Sequence, residues 1–173
     1  MRVVLFRHGP AGKYDPERWP DDSDRPLTAR GIERTRLAAR GVARLEVGIR
    51  RILTSPLRRA EESATLLADA CEESAVVERL EALAPGHSFR TVIAKLAESG
   101  PDEVVALVGH EPDLGKLAGV LLLGAPASLP LKKAGACVIS FADVVAPGAG
   151  RLEWLLPPRT LRRDLRRPRK AGV

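Results

Sequence analysis

Arg2-Val3-Val4-Leu5-Phe6-Arg7-His8-Gly9 is the stretch on which the fold turns. Its unbroken apolar run reads as a strand over residues 2–6, buried on both faces. Arg7-His8-Gly9 stands at the exit of that strand. Two later stretches repeat the arrangement. Arg51-Ile52-Leu53-Thr54 runs into Ser55-Pro56-Leu57-Arg58-Arg59-Ala60, and a strand over residues 103–108 runs into Gly109-His110-Glu111-Pro112. Each exit carries a guanidinium or an imidazole, and the threefold repetition says more than any one motif.

Between these exits the chain alternates in character. Thr28 is placed to cap a helix running to about Leu45, weakened locally by Gly31 and Gly41. Ser55-Pro56 supplies a cap followed by proline at the first helical position. Leu57, Ala60, Ala64, Leu67 and Cys71 recur at helical spacing, so a helix over about 56–71 is expected. Val76-Val77 is a short strand candidate. Ser88 caps a helix with Phe89, Val92, Ile93, Leu96 and Ala97 on one face, and Pro112 opens another with Leu114, Leu117, Ala118, Leu121 and Leu122 toward the core. Residues 136–141 and 151–155 complete the strands, the latter alternating as a half-exposed edge does. Strands alternating with helices predict an α/β fold in three layers, a mostly parallel central sheet with helices on both faces. Ligands of such sheets sit at the carboxyl ends of the strands, so the three motifs are expected to meet on one rim.

A chain of 173 residues, 45% of them hydrophobic, fits one globular domain with a substantial core. With aromatics at only 3%, that core must be built from Leu, Val, Ala and Ile. Cys71 and Cys137 lie far apart with no CxxC, and read as reduced core thiols of a cytoplasmic protein rather than a disulfide or a metal site. No targeting leader or membrane span is expected. The formal charge of +6 resides wholly in residues 159–173, which hold seven cations and one anion. The expected organisation is therefore a neutral domain over 1–158 carrying a basic tail over 159–173. The tail reads as solvated. It could steer the domain toward acidic partners, but no aromatic is interleaved to stack on bases, so nucleic acid is not the expected partner.

The ligand these exits suit is a phosphoryl group, which needs several cations and N–H donors held rigidly. Arg7 and Arg59 each offer a planar fork to phosphate oxygens. The Ser-Pro-Leu-x-Arg spacing favours Arg59 over Arg58. Gly9 supplies flexible main chain beside the anion, and the helix starts near Pro56 and Pro112 add free N–H groups. His110 donates a further hydrogen bond. His8 is then left as the nucleophile, attacking through a neutral nitrogen while an acceptor such as a backbone carbonyl holds its other ring N–H. His87 has no motif around it and reads as a surface-loop residue. The polar loop over 10–27 is rich in proline and holds five acids, and Arg25 is read as pairing with them.

Arg-His-Gly after the first strand, Ser-Pro-Leu-x-Arg-Ala after the second and Gly-His-Glu-Pro later resemble the histidine phosphatase superfamily, best its small SixA-type phosphohistidine phosphatases. Arg25-Pro26-Leu27-Thr28-x-x-Gly31 and Lys132-Lys133-Ala134-Gly135-Ala136 extend the resemblance to residues 1 to about 157. It implies a phosphoglycerate mutase-like fold, His8 as nucleophile, Arg7, Arg59 and His110 as the phosphate pocket, and neither metal nor organic cofactor.

One departure bears on the substrate. Mutases and broad phosphatases of the superfamily present a general-acid glutamate after the second helix, where this chain has only the short Leu80-Glu81-Ala82-Leu83-Ala84-Pro85-Gly86-His87. Glu81 is the candidate acid, with Asp15, Glu17, Asp21, Asp22 and Asp24 as weaker rivals. A missing acid suits a phosphoramidate, whose imidazole leaving group is protonated beforehand, and suits an alkyl phosphate poorly. The expected activity is hydrolysis of phosphohistidine on a protein through a covalent phosphohistidine at His8. A phosphatase for small phosphorylated metabolites and a non-catalytic phosphate-recognition module are the alternatives.

Overall fold

The computed structural model describes residues 1–46, 48–71 and 74–163. The elements in chain order are β1 (Arg2–Arg7), α1 (Ala29–Leu45), β2 (Ile49–Thr54), α2 (Arg58–Ala68), β3 (Val76–Arg79), α3 (Phe89–Ala97), β4 (Val104–Gly109), α4 (Asp113–Leu123), β5 (Ala136–Ser140), β6 (Arg151–Leu156) and α5 (Pro158–Leu161). Short 3-10 turns at Asp22–Asp24 and Glu81–Leu83 interrupt two loops.

The strands form one sheet in the order β3-β2-β4-β1-β5-β6. The first four of these are parallel, whereas β5 runs antiparallel to both β1 and β6. The sheet is thus mixed, with its central block parallel as expected. Val3, Val4, Leu5 and Phe6 are all fully buried because β1 lies inside that block and is covered on both faces. Val3, Leu5, Leu53, Val105 and Leu107 face α3 and α4 through Val92, Leu96, Leu114 and Leu117. Val4, Phe6, Ile52, Ala106 and Val108 face α1, α2 and α5 through Ala38, Val42, Ala60, Leu67 and Leu161. The period-2 alternation of strand side chains produces these two cores and hence three layers.

Thr28 caps α1 by accepting from Gly31 N (2.9 Å), and Ser88 caps α3 by accepting from Arg90 N (3.3 Å). The second helix departs from expectation. It begins at Arg58, not 56, and ends at Ala68, not 71, with Leu57 at its cap position. Ser55 is not the cap: it lies two residues before Leu57, and its N–H still donates to Val108 O (2.9 Å) as an extension of the sheet. Pro112 occupies the cap position of α4 rather than its first turn. β3 extends past Val77 to Arg79, its Glu78 held by the guanidinium fork of Arg51 at 2.9 and 3.2 Å.

Structure continues across the boundary expected at 158. α5 straddles it, and Leu161 is fully buried in the α1–α2 layer. Gly41 gives the reason for its own presence: a Cβ there would lie 2.0 Å from Leu161 O, so only glycine lets α1 and α5 approach so closely. The remainder of the basic tail, 164–173, lies outside the described residues. Cys137 is buried, Cys71 partly so, and both are free thiols. No helix among the described residues is long and apolar enough to cross a membrane.

The sheet order creates one special place. From β1 the chain passes through α1 on one face to reach β2, while from the adjacent β4 it passes through α4 on the other face to reach β5. The connections diverge, and a crevice opens at the carboxyl ends of β1 and β4. His8 and His110 are the residues that leave those two strands.

Candidate active site

The register of β1 on β4 pairs Arg7 with Gly109, so the next residue on each strand is a histidine. Their rings lie 4.9 Å apart between centroids, tilted by 50°. His8 is 6% exposed, His110 4% and Arg59 5%. Arg59 enters from the first turn of α2, which the third exit places beside the other two. Arg7 and Arg59 both sit close enough to lower the basicity of both imidazoles. The four side chains expected to converge do so.

Gly9 is required for this packing. A Cβ on it would sit 1.9 Å from Thr35 Oγ1 on α1, closer than any side chain tolerates. Its N–H donates to Ser63 Oγ (3.0 Å), and that hydroxyl donates to Arg59 O (2.7 Å), so α2 is tied to the exit of β1. The segment 131–135 closes the opposite side. Arg7 Nη1 donates to Leu131 O (2.8 Å), Leu131 N donates to Glu111 Oε1 (2.9 Å), and Ala134 N lies within hydrogen-bonding distance of the carbonyls of both Arg7 and His8.

His8 Nδ1 lies 2.7 Å from Gly9 O. A carbonyl only accepts, so Nδ1 carries the proton and Nε2 presents a lone pair. Burial, the neighbouring imidazole of His110, Arg59 and Arg7 together push the His8 pKa down to about 3, against the raising effect of the Gly9 bond. Burial and then Arg59 push His110 down to about 4, with Asp113 and Asp22 opposing. Both rings are therefore neutral at pH 7. The positive charge of the cup comes from Arg7 and Arg59, each with its pKa lowered chiefly by burial. Lys133 adds to it: burial, Arg7, Arg25 and Arg59 all lower its pKa.

Three buried side-chain nitrogens of this cluster, Arg7 Nε, Arg59 Nε and His110 Nδ1, have no hydrogen-bond partner. Buried polar groups are ordinarily paired, because an unmade bond costs about 1–3 kcal/mol. Unpaired nitrogens, two of them guanidinium donors, suit an anion that accepts several hydrogen bonds at once.

The acids stand differently. Asp22 Oδ2 pairs with Arg59 Nη2 (2.9 Å), its carbonyl accepts from Arg59 Nη1 (2.7 Å), and its Oδ1 pairs with Arg25 Nε (2.6 Å). Arg25 also donates to Gly12 O, so it holds the 10–27 loop as its charge pattern suggested. The bond to Arg25, followed by Arg59, keeps the Asp22 carboxyl below the usual carboxylate range despite partial burial, which makes it a poor proton donor. Glu81 is exposed on its 3-10 turn and has no hydrogen bond or ion pair to Arg7, His8, Arg59 or His110, although Ala82 and Leu83 beside it line a narrow crevice against His110. His87 is exposed, its ring Nδ1 3.2 Å from Ala84 O. Among the described residues no group of three His, Cys, Asp or Glu side chains could hold a metal ion.

Sequence reasoning overlooked Ser55, Ser63, Glu111 and Lys133 as parts of this site. Ser55 and Glu111 lie inside the quoted motifs, but local sequence pointed one to a helix cap and gave the other no role. Lys133 appeared only as a point of resemblance.

Comparison with known proteins bears directly on this geometry. The family model for the histidine phosphatase superfamily (branch 1) matches residues 3–113, which include all four converging side chains. The chain belongs to that superfamily. This histidine phosphatase is 30% identical to the phosphohistidine phosphatase SixA of Escherichia coli (strain K12), over 94% of its own length and 97% of that protein. It is 41% identical to an uncharacterised protein of Picosynechococcus sp., across 78% of this chain and 82% of that one. A solved structure of the protein histidine phosphatase SixA complexed with tungstate superposes with a TM-score of 0.79 at 29% identity, covering 93% of this chain and 99% of the other. The phosphoglycerate mutase-like architecture and the phosphatase class are thus shared with the SixA relatives.

Proposed function

We propose that the chain removes a phosphoryl group from phosphohistidine on a protein, through a covalent phosphohistidine on His8. The observation that carries this reading is the bond from His8 Nδ1 to Gly9 O, which leaves Nε2 as a buried lone pair beside two guanidinium groups. That lone pair attacks phosphorus as the bond from phosphorus to the substrate imidazole breaks. The departing imidazole keeps its electron pair and leaves neutral, because its other nitrogen is already protonated. Water then attacks the phosphoryl group on His8, returning the imidazole and releasing inorganic phosphate. Arg7, Arg59 and the His110 N–H hold the three equatorial oxygens, and Gly9 keeps the main chain close to them. This is charge stabilisation and positioning, which phosphoryl transfer chiefly demands.

The similar protein histidine phosphatase SixA was solved in complex with tungstate, a tetrahedral dianion like phosphate, which supports a tetrahedral oxyanion as a ligand of this fold. The placement of the acids supports this substrate. Asp22 is held ionised and Glu81 has no bond to the cup, so an alkoxide leaving group would depart without a proton, whereas an imidazole needs none.

Rapid quench with labelled phosphohistidine peptide tests the proposal. Acid-labile phosphate should accumulate on the wild-type protein and be absent from His8→Ala. Faster turnover of a sugar phosphate than of the peptide would shift the reading to a metabolite phosphatase. Tight phosphate binding with no labelled protein and no turnover would reduce the pocket to a recognition module.

A further inference from the structure

Ser55 does not cap a helix, and its side chain has another occupation. It is fully buried at the exit of β2, beside β4. Its Oγ lies 3.3 Å from Leu57 N, from which it accepts, and 2.8 Å from His110 Nε2. A serine hydroxyl has one proton and two lone pairs. Leu57 uses one lone pair. The question is which way the bond to His110 runs.

If Nε2 carried the ring proton, it would donate to Ser55, and the hydroxyl proton would need a different acceptor. Among the described residues no other hydrogen bond from Ser55 Oγ is formed, and the residue has no access to solvent. Nδ1 would then turn a lone pair toward the phosphoryl oxygens. If instead the hydroxyl donates to Nε2, the proton of Ser55 is satisfied and the ring proton sits on Nδ1. Nδ1 is the buried atom of His110 left without a partner. Only the second arrangement leaves no polar atom orphaned except the one that meets the anion.

We propose that Ser55 is a positioning residue that holds neutral His110 in its Nδ1–H tautomer, so that the imidazole donates a hydrogen bond to the phosphoryl oxygens. Protonation does not supply this donor, since burial and Arg59 keep the ring neutral. The two histidines are thereby set in the same tautomer for opposite uses. A carbonyl acceptor at His8 Nδ1 frees a lone pair at Nε2, and a hydroxyl donor at His110 Nε2 frees an N–H at Nδ1. The effect on rate rests on the phosphatase reading, whereas the tautomer itself does not.

The test is nitrogen-15 NMR of the imidazoles in the intact chain. It has three histidines, so His110→Gln identifies the signals of the third. In the wild type, His110 should show a protonated Nδ1 and an unprotonated Nε2. In Ser55→Ala that pattern should be lost or averaged, and kcat should fall by about 100-fold, the low end of the scale for removing one preorganised donor. Ser55→Thr keeps the hydroxyl and should restore the pattern and most of the activity. A wild-type spectrum with protonated Nε2 overturns the proposal, and so does an unchanged tautomer in Ser55→Ala. If Ser55→Ala does not fold, the wild-type spectrum alone decides. Should no form hydrolyse phosphohistidine while the wild-type tautomer is as stated, the phosphatase reading falls and the hydrogen-bond assignment stands.

Discussion

The two ends of the sheet both gather arginines, yet they behave in opposite ways. At the amino ends of the strands, a cleft of about 730 Å³ is lined by Arg2, Arg51, Glu78 and Glu103 among others. Its cations have protein partners: Arg51 is forked on Glu78, which raises the Arg51 pKa, and Arg2 pairs with Glu46 at 2.8 Å. At the carboxyl ends, Arg7 and Arg59 have lowered pKa values, and each keeps an orphan Nε. Size would point to the first place, but unmet bonding capacity points to the second. A ligand is drawn where the protein has buried donors it does not itself satisfy.

This contrast can be broken most decisively at His8. His8→Ala should lower phosphohistidine hydrolysis by at least about 10³-fold, as loss of a nucleophile does, measured by single-turnover kinetics. Next, Arg59→Ala should lower kcat/KM by about 10²- to 10³-fold, while Arg51→Ala should leave it within about twofold. Equal losses at the two ends would erase the distinction.

The buried histidines also predict how stability follows pH. Their folded pKa values, about 3 and about 4, lie below the unfolded value of 6.5. Between these limits the unfolded chain binds protons that the folded chain refuses, so stability is full above about pH 6.5 and falls as pH drops toward 4. The slope is about 1.4 kcal/mol per pH unit for each histidine. Urea unfolding at pH 7 and pH 5 measures it, and His8→Gln should remove its share. A slope unaffected by that substitution would mean that His8 titrates normally in the fold. The smallest effect belongs to the amino end. Arg51→Ala should cost about 0.2–1 kcal/mol in the same assay, because its ion pair is partly exposed and screened.

The regions also differ in how legible they were. The strand over 2–6, the helices capped by Thr28 and Ser88, and the motifs that carry Arg7, His8, Arg59 and His110 to one rim could be read directly, because apolar runs, caps and strand exits are local patterns. Ser55 was misread because a Ser-Pro pair is a good local helix start, and only the ladder bond to β4 keeps it in the sheet. Asp22 was one acid among five in its loop, and nothing local distinguished it as the partner of Arg59. Leu161 was assigned to a solvated tail because the charge around it is basic, whereas its own side chain is core.

By itself the order of residues determined that a buried strand ends in Arg-His-Gly, that two similar exits follow, and that helices lie between them. These are consequences of backbone preference and hydrophobic periodicity, which act over a few residues. Only the folded sheet decided that β4 inserts between β1 and β2, bringing His110 to within 4.9 Å of His8. It alone assigned each imidazole its hydrogen-bond partner and left three buried atoms without one. Those properties depend on which groups exclude water from each other, and for the Ser55–His110 bond that is settled by contact between segments 55 residues apart.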